Sequence, residues 1–131
     1  MAGSARRRVV VVEDDRQIRE SFAELLEAVG HQVSTASDGV TGAELVIAAR
    51  PDIAFVDLLL PGISGLEVAK RVREALGSDI LLVAATGEGQ TTPEQVALDA
   101  GFDEYLLKPF DFGRVREMLE NVGVPGRQRR G

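Results

Sequence analysis

The 131-residue chain predicts an α/β fold, a five-stranded parallel sheet with helices on both faces. Short apolar runs rich in β-branched residues alternate five times with stretches of helical period. Turn residues punctuate the junctions. The first and fourth runs are apolar on both sides, as strands buried within a parallel sheet are.

In order, Val9, Val10, Val11 and Val12 form the first strand, and Ile18, Phe22, Leu25, Leu26 and Val29 recur at helical spacing until Gly30 stops that helix. Residues 32–36 make a more polar strand, suited to a sheet edge. The next helix turns Ala43, Val46 and Ile47 inward and closes at Arg50-Pro51. Residues 53–56 are the third strand, ending at Asp57 before a loop with Pro61 and Gly62. The third helix presents Leu66, Ala69, Val72 and Leu76 and ends at Gly77. Residues 80–84 form the fourth strand and 86–92 a glycine-rich loop, after which Pro93 opens a short helix reaching Ala100. Residues 103–107 form the fifth strand, and the last helix turns Val115, Met118, Leu119 and Val122 inward. No linker divides the chain, so the expected organisation is one domain over 8–122, a disordered tail over 1–7 and a flexible basic tail over 123–131.

Composition narrows the function. A 44% apolar and 27% charged content is that of an ordinary soluble domain. No apolar run approaches the roughly 20 residues that cross a bilayer, so no membrane role is expected. The absence of cysteine excludes disulfides and thiolate metal sites, and a cytoplasmic setting is the default. A net charge of −6 argues against nucleic acid as a partner. His31, the only histidine, lies between the first helix and second strand, away from the carboxyl ends of the strands, and is expected in a surface loop.

Parallel strands joined by right-handed crossovers bind ligands beyond their carboxyl ends. Glu13, Asp14 and Asp15 follow the first strand, Asp57 ends its predicted neighbour, Thr86 follows the fourth strand, and Lys108 follows the fifth. Carboxylates so crowded repel one another. Mg²⁺ relieves that conflict, since it takes one or two carboxylates together with waters and a phosphate oxygen. Asp14 is expected to hold the metal, and Asp15 to cap the first helix. Asp57 is a competent nucleophile toward phosphorus. Lys108 and Thr86 are placed to neutralise and hydrogen-bond phosphoryl oxygens.

The motifs VVVVEDD, VDLLLPGISG, LLVAATGEG and EYLLKPF, in this order and spacing, resemble the receiver domain of two-component response regulators from about Arg8 to Val122. The resemblance implies a flavodoxin-like sheet of order 2-1-3-4-5, and Asp57 as phosphoacceptor. It also implies Mg²⁺ held by Glu13, Asp14, Asp57 and the backbone carbonyl of Leu59. Thr86 is then the switch hydroxyl, Lys108 the phosphate-binding lysine, and Tyr105 the aromatic switch residue. Leu59 and Glu88 occupy positions that modulate dephosphorylation, and Pro109 follows a cis peptide. The implied partners are a histidine kinase or histidine phosphotransfer protein, docking on the first helix near Ile18 and Phe22, and a downstream protein met by the surface of the fourth helix, fifth strand and fifth helix. A monomer or a weak phosphorylation-dependent homodimer is expected, with no more enzymatic activity than self-phosphorylation and autodephosphorylation. Gly87 departs from the family's usual alanine, and Leu59 is apolar where many relatives are polar.

Rival functions fare worse. A haloacid-type phosphohydrolase needs a second acid where Leu59 stands, and a flavodoxin needs a phosphate-cradling loop where Glu13, Asp14 and Asp15 stand. A scaffold independent of phosphorylation has no need of this full set of site residues. A stand-alone receiver is favoured over one excised from a hybrid sensor kinase.

Overall fold

The computed structural model describes residues 6–87 and 92–122. Five strands and five helices alternate: β1 (Arg8–Val12), α1 (Arg16–Ala28), β2 (Gln32–Ala36), α2 (Gly39–Ala49), β3 (Ile53–Asp57), α3 (Gly65–Leu76), β4 (Leu81–Thr86), α4 (Glu94–Ala100), β5 (Glu104–Leu107) and α5 (Phe112–Asn121). All strand pairs are parallel and the order is β2-β1-β3-β4-β5, as expected.

Strand alternation sorts the core into two layers. Val10, Val12, Ala54, Val56, Leu82 and Ala84 pack with Val68, Val72 and Ala97 of α3 and α4. Val9, Val11, Ile53, Phe55, Leu81 and Val83 face α1 and α5, meeting Phe22, Leu26, Val115 and Leu119. The central strands are therefore apolar on both faces over residues 9–12, 53–56 and 81–85, and turn polar only at their ends. β2, the edge, buries only Ala36.

Strand ends differ by a residue or two from expectation. β4 runs to Thr86, whose carbonyl accepts from the Lys108 N–H at 2.8 Å. Asp103 stands just before β5, where its N–H donates to the Leu82 carbonyl and its carboxylate accepts from the Leu82 N–H. In α1 only Phe22 and Leu26 are buried, whereas Ile18, Leu25 and Val29 are 37–51% exposed. The apolar stripe is wider than the sheet can cover.

Two placements correct the sequence reading. His31 is buried, not in a surface loop: its Nδ1 accepts from the Arg7 N–H at 3.0 Å and its own N–H donates to the Leu26 carbonyl. Arg7, assigned to the tail, is bonded into the fold as well, its guanidinium donating to the Leu119 and Glu120 carbonyls of α5. The remaining tail residues 1–5 and 123–131 lie outside the described residues.

Candidate functional site

β1 and β3 are neighbours although β2 lies between them in sequence, so the chain reverses its direction of travel across the sheet there. Helices diverge at such a point and leave a crevice over the carboxyl ends. Glu13, Asp14, Asp57, Leu59 and Lys108 line a cleft of about 490 Å³ at that place.

Burial and bonding fix each side chain. Asp57 is buried at the end of β3. Its Oδ1 accepts from the Leu59 N–H at 3.0 Å and its Oδ2 from Lys108 Nζ at 3.0 Å. Glu13 is also buried, with Oε2 accepting from the Asp15 N–H at 3.0 Å and Oε1 in a short ion pair with Lys108. Lys108 arrives because β5 pairs with β4, and its side chain remains only 14% exposed. Asp14 is exposed at the rim. Asp15 caps α1 by accepting from the Ile18 N–H, the helix-capping role expected of it.

One oxygen from each of Glu13, Asp14 and Asp57 lies within 4.8 Å of the others. Burial raises the pKa of Glu13, the bonds from Lys108 and Asp15 pull it back, and the charge of Asp57 pushes it up again. Burial works against the charge on Lys108, but its bonds to Glu13 and Asp57 prevail, so its pKa is raised and it stays cationic. Three hard oxygen donors around a cleft fit a divalent cation such as Mg²⁺.

Thr86 is buried at the end of β4, one residue beyond the Ala85 that pairs with Asp57. Tyr105 is half-buried on the α2–α4 side, and its hydroxyl donates to the Thr92 carbonyl at 2.6 Å, next to the start of α4. The Lys108–Pro109 peptide is cis, as the resemblance implied. Leu59 is 69% exposed at the cleft. Glu88 lies outside the described residues.

The loop after Asp57 is held by close backbone approaches. The Gly65 N–H donates to the Leu58 carbonyl, and the Gly39 N–H of α2 to the Pro61 carbonyl at 3.1 Å. Sequence reasoning missed the part played by Gly39, and missed Arg19 altogether. The Arg19 guanidinium donates to the carbonyls of Glu13 and Asp14 at 2.9 and 3.3 Å. Its place one helical turn past the capping Asp15 was the available signal.

Beside the cleft runs an apolar groove of about 630 Å³ between α1 and the segment linking β5 to α5, lined by Ile18, Phe22, Leu25, Pro109, Phe110 and Phe112. Phe22 anchors its floor, with ring centroids 5.1 Å from Phe55 and 4.8 Å from Phe110. Ile18, Gly87 and Lys108 line both depressions.

Comparison with known proteins agrees with this architecture. The family model described as the response regulator receiver domain matches residues 9–120, and the chain belongs to that family of two-component signalling domains. It is 37% identical over 119 residues to the response regulator MprA of Mycobacterium leprae, a match covering 88% of this chain and 52% of that protein. The chain thus spans about half the length of the curated relatives it matches. Among solved structures it is similar to the receiver domain of the sensor histidine kinase PA1611 of Pseudomonas aeruginosa, which has a magnesium ion coordinated in its active-site cleft (TM-score 0.80, 24% identity, covering 90% of this chain and 98% of that one). It is also similar to the receiver domain of Saccharomyces cerevisiae Ssk1, solved with the histidine phosphotransfer protein Ypd1 (TM-score 0.81, 22% identity, covering 92% and 90%). Receiver domains are signalling domains, not classical enzymes.

Proposed function

We propose that the chain accepts a phosphoryl group on Asp57 from a phosphohistidine of a histidine kinase or phosphotransfer protein. The observation that carries this reading is the buried Asp57 carboxylate, 3.0 Å from Lys108 Nζ, with Glu13 and Asp14 oxygens within 4.8 Å. An Asp57 oxygen attacks phosphorus, the P–N bond to the donor imidazole breaks with its electron pair left on nitrogen, and an acyl phosphate forms. Lys108 supplies a fixed cation for the phosphoryl oxygens, and the Thr86 hydroxyl donates to one of them. Glu13, Asp14, Asp57 and the Leu59 carbonyl would hold Mg²⁺, which neutralises the crowded negative charge when bound.

The apolar groove suits a helix of the phosphodonor, since it opens directly onto the cleft at Ile18 and Lys108. The Ypd1 complex of a similar receiver fold supports a partner of that kind. Phosphorylation adds nearly two negative charges at one point. Thr86 then moves toward them and Tyr105 gives up the Thr92 carbonyl. This biases the face of α4, β5 and α5, where Val96 and Leu107 are exposed, toward a downstream protein. In this reading the chain acts in the cytoplasm, as a monomer or a weak phosphorylation-dependent homodimer.

Intact-mass measurement after incubation with acetyl phosphate and Mg²⁺ tests the chemistry. The expected result is a gain of one phosphoryl mass by the native chain and none by Asp57→Asn. No gain, or an equal gain in the variant, overturns the assignment.

A further inference from the structure

We propose that Arg19 is a positioning residue for the cation site, orienting the Glu13-Asp14 segment by clamping both of its carbonyls. The inference rests on the reading of Glu13, Asp14 and Asp57 as the metal-binding acids.

The two carbonyls belong to consecutive residues, each of which also carries one of the clustered carboxylates. A single guanidinium nitrogen, Arg19 Nη1, donates to both, at 2.9 and 3.3 Å. Its stem is anchored on α1, where the Arg19 N–H donates to the Asp15 carbonyl at 2.9 Å. Asp15 caps that helix, and the Glu13 N–H donates to the Ala36 carbonyl of β2 at 3.0 Å. The acidic segment is thereby tied to β2 at its start and to α1 at its end. Between those ties the Asp14–Asp15 peptide is also held by the Asp15 N–H bond to Glu13 Oε2, and Arg19 engages the carbonyl side of that peptide and of the one before it. Arg19 is half-buried, and its bond to the Glu13 carbonyl is partly shielded from solvent whereas the bond to the Asp14 carbonyl is exposed.

Two consequences follow for the cation. Carbonyls engaged by Arg19 are withdrawn from competition with the carboxylates as ligands, so the donor set is settled before a cation arrives. Outer partners of this kind set metal affinity through the ligands they orient. The net charge of the guanidinium acts in the opposite sense, because a cation close by repels a dication. Positioning and charge therefore predict opposite signs for the loss of Arg19.

The test is calorimetric titration of the metal-stripped full chain with MgCl₂, with no phosphodonor present, on the native chain, Arg19→Ala, Arg19→Lys and Arg16→Ala. Arg16 is an exposed α1 arginine that pairs with Glu20, so it controls for the lost charge. Positioning predicts Mg²⁺ affinity lowered about fivefold or more in Arg19→Ala, a smaller loss in Arg19→Lys, and no loss in Arg16→Ala. Affinity in Arg19→Ala equal to or tighter than native overturns the proposal while leaving the cation site in place. Failure of the native chain to bind Mg²⁺ overturns the site and this inference together. Melting curves without metal verify that each variant is folded. Should Arg19→Ala not fold, Arg19→Lys decides alone, since it keeps the charge and lacks the guanidinium; native affinity in it overturns the proposal.

Discussion

At Asp57 one carboxylate oxygen is held by the Leu59 N–H and the other by Lys108, so the residue before the loop and the residue after β5 meet across the sheet mouth. The Leu59 side chain, by contrast, stands 69% exposed at the same cleft. An apolar group there cannot orient a water toward an acyl phosphate, whereas an amide can. Leu59→Asn is expected to speed loss of the phosphoryl group at least several-fold, below the roughly 10²-fold of a full general base because an amide orients the water without taking its proton. Decay of the phosphorylated mass after donor removal measures it, and an unchanged half-life counts against a screening role. His31 makes a different argument. Burial, then the nearby Arg7 charge, lowers its pKa from the ordinary 6.5, so the folded chain keeps it neutral. The charged groups at this junction are Arg7, Arg116 and Glu120. Below the ordinary value the unfolded chain binds a proton that the folded chain resists, so stability is complete above it and declines as pH falls toward the lowered folded pKa. His31→Asn can still accept from the Arg7 N–H, and its melting temperature should fall less than the native one between about pH 7 and about pH 5. Parallel declines would show that another group is responsible.

At the element level, capping and close approach decide where the site loops lie. Asp15, Asp38, Ser64 and Asp111 each accept a backbone N–H at a helix start; all are favoured cap residue types, but only Asp15 was expected as a cap from the sequence. The first turn of α3 is not readable that way. A Cβ on Gly65 would come within 2.3 Å of the Asp57 carbonyl oxygen and 2.7 Å of Leu58 Cα, both backbone atoms that cannot step aside. Glycine is there for room, not for positive φ. Gly65→Ala is expected to cost about 2 kcal/mol of stability despite alanine's better helix propensity, because overpacking against backbone outweighs it. Urea denaturation measures the cost, and a variant as stable as native would mean that α3 can back away from β3. In α1 the sequence pattern was too generous: Ile18, Leu25 and Val29 share the apolar period but only Phe22 and Leu26 meet the sheet. Periodicity marks a face without saying how much of it another element covers.

Across the whole molecule, α3 is stapled to the far end of the sheet by Arg73. Its guanidinium pairs with Asp103 at 2.7 Å and donates to the Gly101, Gly77 and Ile80 carbonyls at 2.8 to 2.9 Å. Asp103 is buried, and removing Arg73 takes the guanidinium cation away from a carboxylate that still accepts from the Leu82 N–H. Arg73→Met should lower stability by about 3 kcal/mol, seen as a reduced urea midpoint with an unchanged slope. Loss of less than about 1 kcal/mol would place the pair among those that contribute little. Nothing in the spacing of positions 73 and 103 points to this contact, since the two residues are polar side chains on separate elements.

The order of strands and helices, the chemical kinds of residue at the strand ends and the Asp15 cap of the first helix were legible from the chain alone, because period, punctuation and side-chain type are local properties. Only the fold decided that His31 is buried, that Arg7 is bonded to α5, and that Arg19 grips the carbonyls of the acidic loop. Those facts depend on which surfaces come to face each other, and a side chain's partner across tens of residues leaves no trace in its own neighbourhood. The convergence of Glu13, Asp57 and Lys108 lies between the two: the strand ends were foreseeable, but the 3.0 Å contact required the sheet.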